Sequence, residues 1–220
     1  MEWQPLFLSF QIASLATLLA AVVGIALATL LATKRFPGRD LLDVLVTTPM
    51  ILPPTVLGYY VLVVLGRKSW LGEAFERLTG SSIVFTRTGA VVAASIGALP
   101  LIAKSARAAL EGVDPVLLRA AQTLGATRTR AFFTVHLPLA APGVLAGVML
   151  GFARALGDFG VTLMIAGDIP GVTQTAPLAI YDAIQGNRQG DAIGMIMVLS
   201  AFALVTLYAV AKLTMKPHED

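Results

Sequence analysis

The 220-residue chain has no cysteine, which excludes a disulfide framework and any thiolate-held metal. It has only two histidines, His136 and His218, and no group of His, Asp and Glu stands at metal-ligand spacing. No G-x-x-x-x-G-K-[ST] phosphate loop and no G-x-S-x-G elbow is present, so neither nucleotide hydrolysis nor hydrolase chemistry is built into the chain. Charge is scarce: 13% of residues are Asp, Glu, Lys or Arg, about half the share of a soluble domain. No basic run stands beside stacking aromatics, which argues against nucleic acid as a partner. The opening MEWQPLF carries Glu2 and no Lys or Arg, unlike the positive leading region of a cleaved signal peptide.

What the chain does have is apolar surface. Apolar residues fill 56% of positions, and mean hydropathy is +0.80. Runs of about 20 apolar residues cross a bilayer core of roughly 30 Å. The reading is an all-α, multi-pass membrane protein, one domain over residues 1–220, with about five spans. They are expected at Leu8–Thr33, Val44–Leu65, Gly89–Leu110, Leu139–Phe159 and Ala192–Leu213. Pro49, Pro53 and Pro54 interrupt the second, and Pro100 lies in the third. Kinks are expected near Pro53 and Pro100, because proline frees a backbone carbonyl that neighbours or water must satisfy. Residues 67–88 are too polar to cross, and Trp70 and Phe75 suit a helix at the interface. The apolar part of residues 160–191 is too short to cross; it either extends the fourth span or dips back in. Tyr59 and Tyr60 are read as interior packing residues. Gly143, Gly147 and Gly151 share a helix face and permit close packing, within the bundle or across a dimer.

Lys and Arg set the orientation. One side holds Lys34, Arg35, Arg39, Lys104, Arg107, Arg119, Arg128, Arg130, Lys212 and Lys216; the other holds Arg67, Lys68, Arg77, Arg87 and Arg188. Cytoplasmic loops carry the excess, so the N-terminus is expected outside and the C-terminus inside. Lys104 and Arg107 are read as snorkelling to that interface. Arg154 falls within the fourth span, where a charge is costly and marks function by default. Asp158, one turn on, can pair with it. The pair either closes the bundle or lines a route for an anion.

Amid this apolar sequence, RAAQTLGATRTRAFFTVHLP, residues 119–138, is amphipathic. Asp114 and Pro115 form a helix start. Leu117, Ala121 and Leu124 then share one face, and Gly125 supplies a left-handed cap. Thr127 can cap a second short helix that Pro138 ends. Such a segment can float on lipid, remain a solvated loop, or dock into a partner's groove.

Spacing resolves the choice through a resemblance. The stretch is similar to the cytoplasmic loop of bacterial ABC-importer permeases: Glu-Ala-Ala, three residues, Gly, nine residues, Ile-x-Leu-Pro. Ala120, Ala121, Gly125, Leu137 and Pro138 match. Arg119 stands where Glu is usual, and Val135 replaces Ile. Residues 51–72, 109–147, 152–171 and 173–184 extend the likeness along nearly the whole chain to the molybdate permeases, with Asp158 where Glu is common. Sulfate and tungstate permeases are close relatives.

The resemblance implies the type I importer permease fold, with a coupling loop at about residues 112–138 whose Arg119, Ala120, Ala121, Gly125, Leu137 and Pro138 meet the ATPase. It implies a second copy of the chain, two cytoplasmic ABC ATPase subunits that hold the ATP and magnesium, a periplasmic oxyanion-binding protein, and the bacterial inner membrane. In that scheme ATP draws the ATPases together and turns the pore outward, and hydrolysis turns it inward. The chain itself is no enzyme and carries no cofactor. Five spans leave no place for the extra N-terminal span some members have. The rival is a stand-alone secondary transporter, but no internal repeat supports it.

Overall fold

The structure, a computed structural model, describes residues 3–34 and 36–214; Glu2, Arg35, Lys216 and His218, which figure above, lie outside the described residues. The described residues fold into helices: α1 (Gln4–Thr33), α2 (Arg39–Ile51), α3 (Pro54–Leu65), α4 (Trp70–Thr79), α5 (Arg87–Glu111), α6 (Pro115–Thr123), α7 (Arg128–Ala131), α8 (Leu137–Leu156), α9 (Gly160–Ala166), α10 (Ala176–Gln185) and α11 (Gln189–Thr214). A π-helical turn, Phe132–His136, joins α7 to α8.

Four units are long and apolar enough to cross a membrane: α1, α5, the continuous Arg128–Leu156 unit, and α11. The α2–α3 pair, bent by 118°, is either a broken span or a loop that returns. Contacts at its two ends decide. At one end of the bundle, Arg39 of α2 donates to the Leu31 carbonyl of α1 and to Glu111 of α5. At the other, Leu57 and Val61 of α3 cluster with Ala93 of α5 and with Val161 and Ile165 of α9. The pair therefore crosses once, as the expected second span, but sharply folded rather than kinked.

The fourth crossing differs from expectation at both ends. The helix starts at Arg128 and runs through Pro138, so that proline does not end it. The wide turn explains this: the Leu137 N–H bonds back five residues to the Phe132 carbonyl, and a π turn absorbs the irregularity that a missing N–H introduces. The helix then stops at Leu156, before Gly157, and α9 finishes the crossing as a separate helix. Its end reaches the N-terminal end of α5, where the Phe85 N–H donates to the Ile165 carbonyl. Pro100, by contrast, sits inside an uninterrupted α5. Met195 of α11 packs against Leu6 of α1, and Leu213 lies by Ala108 of α5. Five crossings thus place Trp3 and Thr214 at opposite ends of the bundle.

Small residues let the helices approach closely. Ala13, Ala16 and Ala20 of α1 meet Ala90, Ala94, Ala98 and Ile102 of α5, all buried. Side chains this short bring backbones together where lipid supplies no hydrophobic drive between helices. The α8 glycines do the same within the chain. A Cβ on Gly143, Gly147 or Gly151 would stand 2.6, 2.5 or 2.5 Å from Ala109, Ser105 or Ile102 of α5. Their stripe is thus an intrachain seam. Tyr59 and Tyr60 correct the interior reading: they are 56% and 55% exposed on α3. The short α4 does form, capped by Ser69 and ended at left-handed Gly80, with Trp70 exposed.

Gly147→Val should overpack the α5–α8 seam by two methyls and one Cβ. A loss of roughly 1–3 kcal/mol or more is expected, read as a lowered thermal midpoint of the purified protein. An unchanged midpoint would mean that the seam yields.

Candidate functional site

The amphipathic segment is built from local signals. Asp114 Oδ1 accepts the Val116 N–H at 2.8 Å, and Pro115 occupies the first helical position of α6. At the other end the Gly125 N–H bonds the Gln122 carbonyl and the Ala126 N–H bonds that of Ala121, both at 3.0 Å. Those two bonds make a Schellman cap. It needs a left-handed residue, and Gly125 has φ +90°. Thr127 Oγ1 then caps α7 by accepting the Arg130 N–H. No residue of α6 is buried. Arg119, Ala120 and Gly125 are exposed, as is Pro138, while Ala121 and Leu137 are half-buried. Leu124 is 89% exposed and points away from the bundle, whereas Leu117, on the same side of α6, borders a pocket shared with α5, α8 and α11. Pro115, Leu118 and Gln122 face inward, over a pocket of about 710 Å³ shared with α1, α5 and His136.

Inside the membrane Arg154 and Asp158 do meet: Nη1 donates to Oδ1 at 3.0 Å. They are not two positions on one helix, because α8 ends between them. Asp158 stands in the link and also caps α9. Its Oδ2 accepts the Thr162 N–H at 3.0 Å and the Thr162 hydroxyl at 2.7 Å. The two side chains are unequally covered, Asp158 1% and Arg154 35% exposed. A buried carboxylate with three donors holds one end of the guanidinium, and the remaining donors face open space.

That space is bounded by both broken helices. A cavity of about 480 Å³ runs from Pro54 and Thr55, at the start of α3, to Gly157, Phe159 and Gly160, at the α8–α9 break, with Arg154 in its wall. A second, of about 230 Å³, continues past Arg154 to Pro49, Leu52 and Gly97. The breaks touch: a Cβ on Gly160 would stand 2.7 Å from Pro54 Cβ. Gly97 of α5 leaves room for the guanidinium, whose nearest nitrogen would be 3.4 Å from an added Cβ.

Three groups escaped the sequence reading. Thr162 and Gly97 carry no signal of their own; only folding brings them to the pair. The third is Asp43 of α2. Lys104 and Arg107, read as snorkelling, also pair with Asp43 at 2.9 and 3.0 Å, and Arg107 bonds Glu111 at 2.8 Å. Asp43 lies 61 residues before Lys104, beyond any local pattern. His136 was noted only for its position, yet its ring is buried against α5.

A broken-helix bundle that holds a paired arginine in its midst and offers an exposed amphipathic segment at one end is the form of an importer's membrane subunit. The chain belongs to the family described as binding-protein-dependent transport system inner membrane component, which matches residues 13–216. Among its relatives is the molybdenum transport system permease protein ModB of Escherichia coli K12, 44% identical over 94% of this chain and 90% of that protein. The putative molybdenum transport system permease protein YvgM of Bacillus subtilis 168 is 37% identical over 93% and 90%. The sulfate transport system permease protein CysT of Escherichia coli K12 is 33% identical over 90% and 71%. The fold, of the type I importer permease kind, is shared with a bacterial ABC transporter involved in import of the acidic polysaccharide alginate (TM-score 0.75, 16% identity, 96% of this chain and 79% of that one). It is also shared with the methionine ABC transporter MetNI in an inward-facing form (TM-score 0.69, 16% identity, 96% and 95%).

Arg154→Gln should strand a buried carboxylate. A cost of up to about 3 kcal/mol is expected, the low end for a buried pair because Arg154 is partly exposed. Asp158→Asn in the same chain should recover about 1–3 kcal/mol of it through the coupling between the sites. A double-mutant cycle on thermal stability measures this; strict additivity would mean the pair carries no coupling.

Proposed function

We propose that this chain is the membrane-spanning subunit of an ATP-driven importer that moves molybdate inward by alternating access. The observation that carries the importer reading is the segment from Asp114 to Ala131. Each of its helices is capped at its start, yet no residue of α6 is buried, and the apolar Leu124 stays 89% exposed. Arg119, Ala120, Ala121 and Gly125 would meet a groove on a cytoplasmic ATPase, with Leu137 and Pro138 joining the segment to the bundle. ATP and magnesium would be bound by that ATPase. The charge count puts this end in the cytoplasm and the N-terminus outside. Molybdate is favoured by likeness to the molybdenum permeases; tungstate or sulfate is the alternative in the same family.

The Arg154 cavity is the route assigned to the oxyanion. Non-helical backbone at membrane depth is tolerated only where protein buries it or water reaches it, and a half-covered arginine facing lipid is costly. Both conditions are met if a second copy closes the face that carries the α2–α3 break, with a water-filled path between the copies. Arg154 then faces a divalent oxyanion while Asp158 restrains it. A periplasmic binding protein would deliver the anion at the opposite end from α6.

Labelled molybdate uptake, in cells whose only permease is native or Gly125→Trp, tests the reading. A Cβ at Gly125 meets nothing within 4 Å, so the variant acts through backbone strain of about 1–2 kcal/mol and through bulk on the docking face. Uptake should fall to background, and in native cells it should be blocked by excess tungstate but little by sulfate. Undiminished uptake would remove the docking role; blocking by sulfate at low excess would move the substrate to sulfate. Arg154→Gln with Asp158→Asn should leave uptake low although stability returns. Restored uptake would make the pair structural only.

A further inference from the structure

His136 and the Leu110 carbonyl stand 26 residues apart in sequence and 2.8 Å apart in space, with the imidazole Nε2 facing the oxygen. A carbonyl only accepts, so Nε2 carries the hydrogen and donates. Leu110 lies in the last turn of α5, and its carbonyl also accepts the Val113 N–H of the following link at 3.3 Å. Both residues are buried, at 1% and 8% exposure. Phe132, at the start of the π turn, meets the His136 ring edge-on, centroids 5.5 Å apart. It also packs on a buried cluster that holds Leu110, Ala28 of α1, and Ala140 and Val144 of α8.

This contact closes the neck of the amphipathic segment. α5 and α8 already pack along the glycine seam; without this contact, the two arms of the α6–α7 segment, the short link after α5 and the π turn into α8, would be untied beyond that seam. With it, the two arms are tied where they enter the bundle. What each arm leads to is on the page. α8 carries Arg154. α5 carries Lys104 and Arg107, whose pairing with Asp43 reaches α2. α2 ends in the residues that line the other side of the Arg154 cavity, Pro49 and Leu52 among them. A displacement of α6 that passes through the tied neck therefore moves both walls of the cavity together.

We propose that His136 is a positioning residue for transport: its hydrogen bond to Leu110 fixes the root of the α6–α7 segment to the packed α5–α8 core, so that motion of the motor reaches the core. The inference rests on the reading of α6 as the ATPase-docking element. The test uses the whole importer, with ATPase and binding protein, in liposomes, and reads ATP hydrolysed per molybdate imported. His136→Leu removes the donor and keeps an apolar body; His136→Gln keeps an N–H at similar reach. The Leu variant should still bind the ATPase and hydrolyse ATP, with the ATP-to-molybdate ratio raised roughly tenfold, within the range of coupling between sites. The Gln variant should return the ratio most of the way to native.

A native ratio in the Leu variant overturns the proposal. So does a Gln variant as uncoupled as the Leu one, since the hydrogen bond would then not be the agent. Loss of ATPase binding in both variants also overturns it, by making the residue merely structural. Gly125→Trp runs beside them: if it still binds the ATPase and imports, the docking reading fails and the tied neck with it. If it releases the ATPase while His136→Leu stays fully coupled, the neck alone is refuted.

Discussion

In hydrocarbon every unpaired backbone N–H or C=O costs several kcal/mol, and the architecture here is organised around where that cost is met and where it is evaded. α1, α5 and α11 meet it by running unbroken across the bundle. The two interruptions, at Leu52–Pro53 and Gly157–Phe159, are not scattered. They abut one another across the Gly160–Pro54 contact and bound the same cavity. Arg154, in the last turn of α8, lies in that cavity's wall. Broken backbone and buried charge thus share one small region.

Regularity is supported by small side chains. Ala and Gly faces on α1, α5 and α8 allow helix backbones close enough for many weak contacts, and Gly143, Gly147 and Gly151 leave no room for a methyl. The result is a stiff α1–α5–α8 core. Less embedded parts attach to it through specific polar links, α2 through Asp43 and Arg39 and the α6–α7 segment through His136, while the buried α9 adds Asp158 to an apolar face packed on α5. Each link is a discrete hydrogen bond or ion pair, which breaks or holds, unlike a greasy surface that slides.

Much of this was legible in the sequence, for reasons that also mark the limit. Hydropathy located five crossings because a bilayer demands long apolar runs. Asp114, Pro115, Gly125 and Thr127 announced the two-helix segment because capping is local chemistry. The Arg154–Asp158 pair was legible from spacing alone, though the helix end between them was not. Pro138 misled because proline ordinarily ends a helix; the π turn that admits it has no sequence signature. The partners Asp43, Gly97, Thr162 and Leu110 were invisible because each contact depends on how helices are arranged, not on neighbours along the chain. Tyr59 and Tyr60 misled in the same way: an aromatic in an apolar run says nothing about which direction it faces.

One feature of the Arg154 cavity bears on throughput. A lone guanidinium facing a dianion in a low-dielectric passage would be a sink, since attraction scales with the product of charges and inversely with the dielectric constant. A passage conducts only if its stations hold weakly enough to let go. On the proposed route, Asp158 would make the Arg154 station nearly neutral when empty. Chloride and other monovalent ions, which recover little of their hydration from a charge already engaged, have small reason to enter. A tetrahedral dianion, with twice the charge, can compete for the guanidinium briefly and then lose it again to the carboxylate. On the route proposed for the oxyanion, the tethered arginine would act as a sieve against the most abundant anions and as a release mechanism for the rare one.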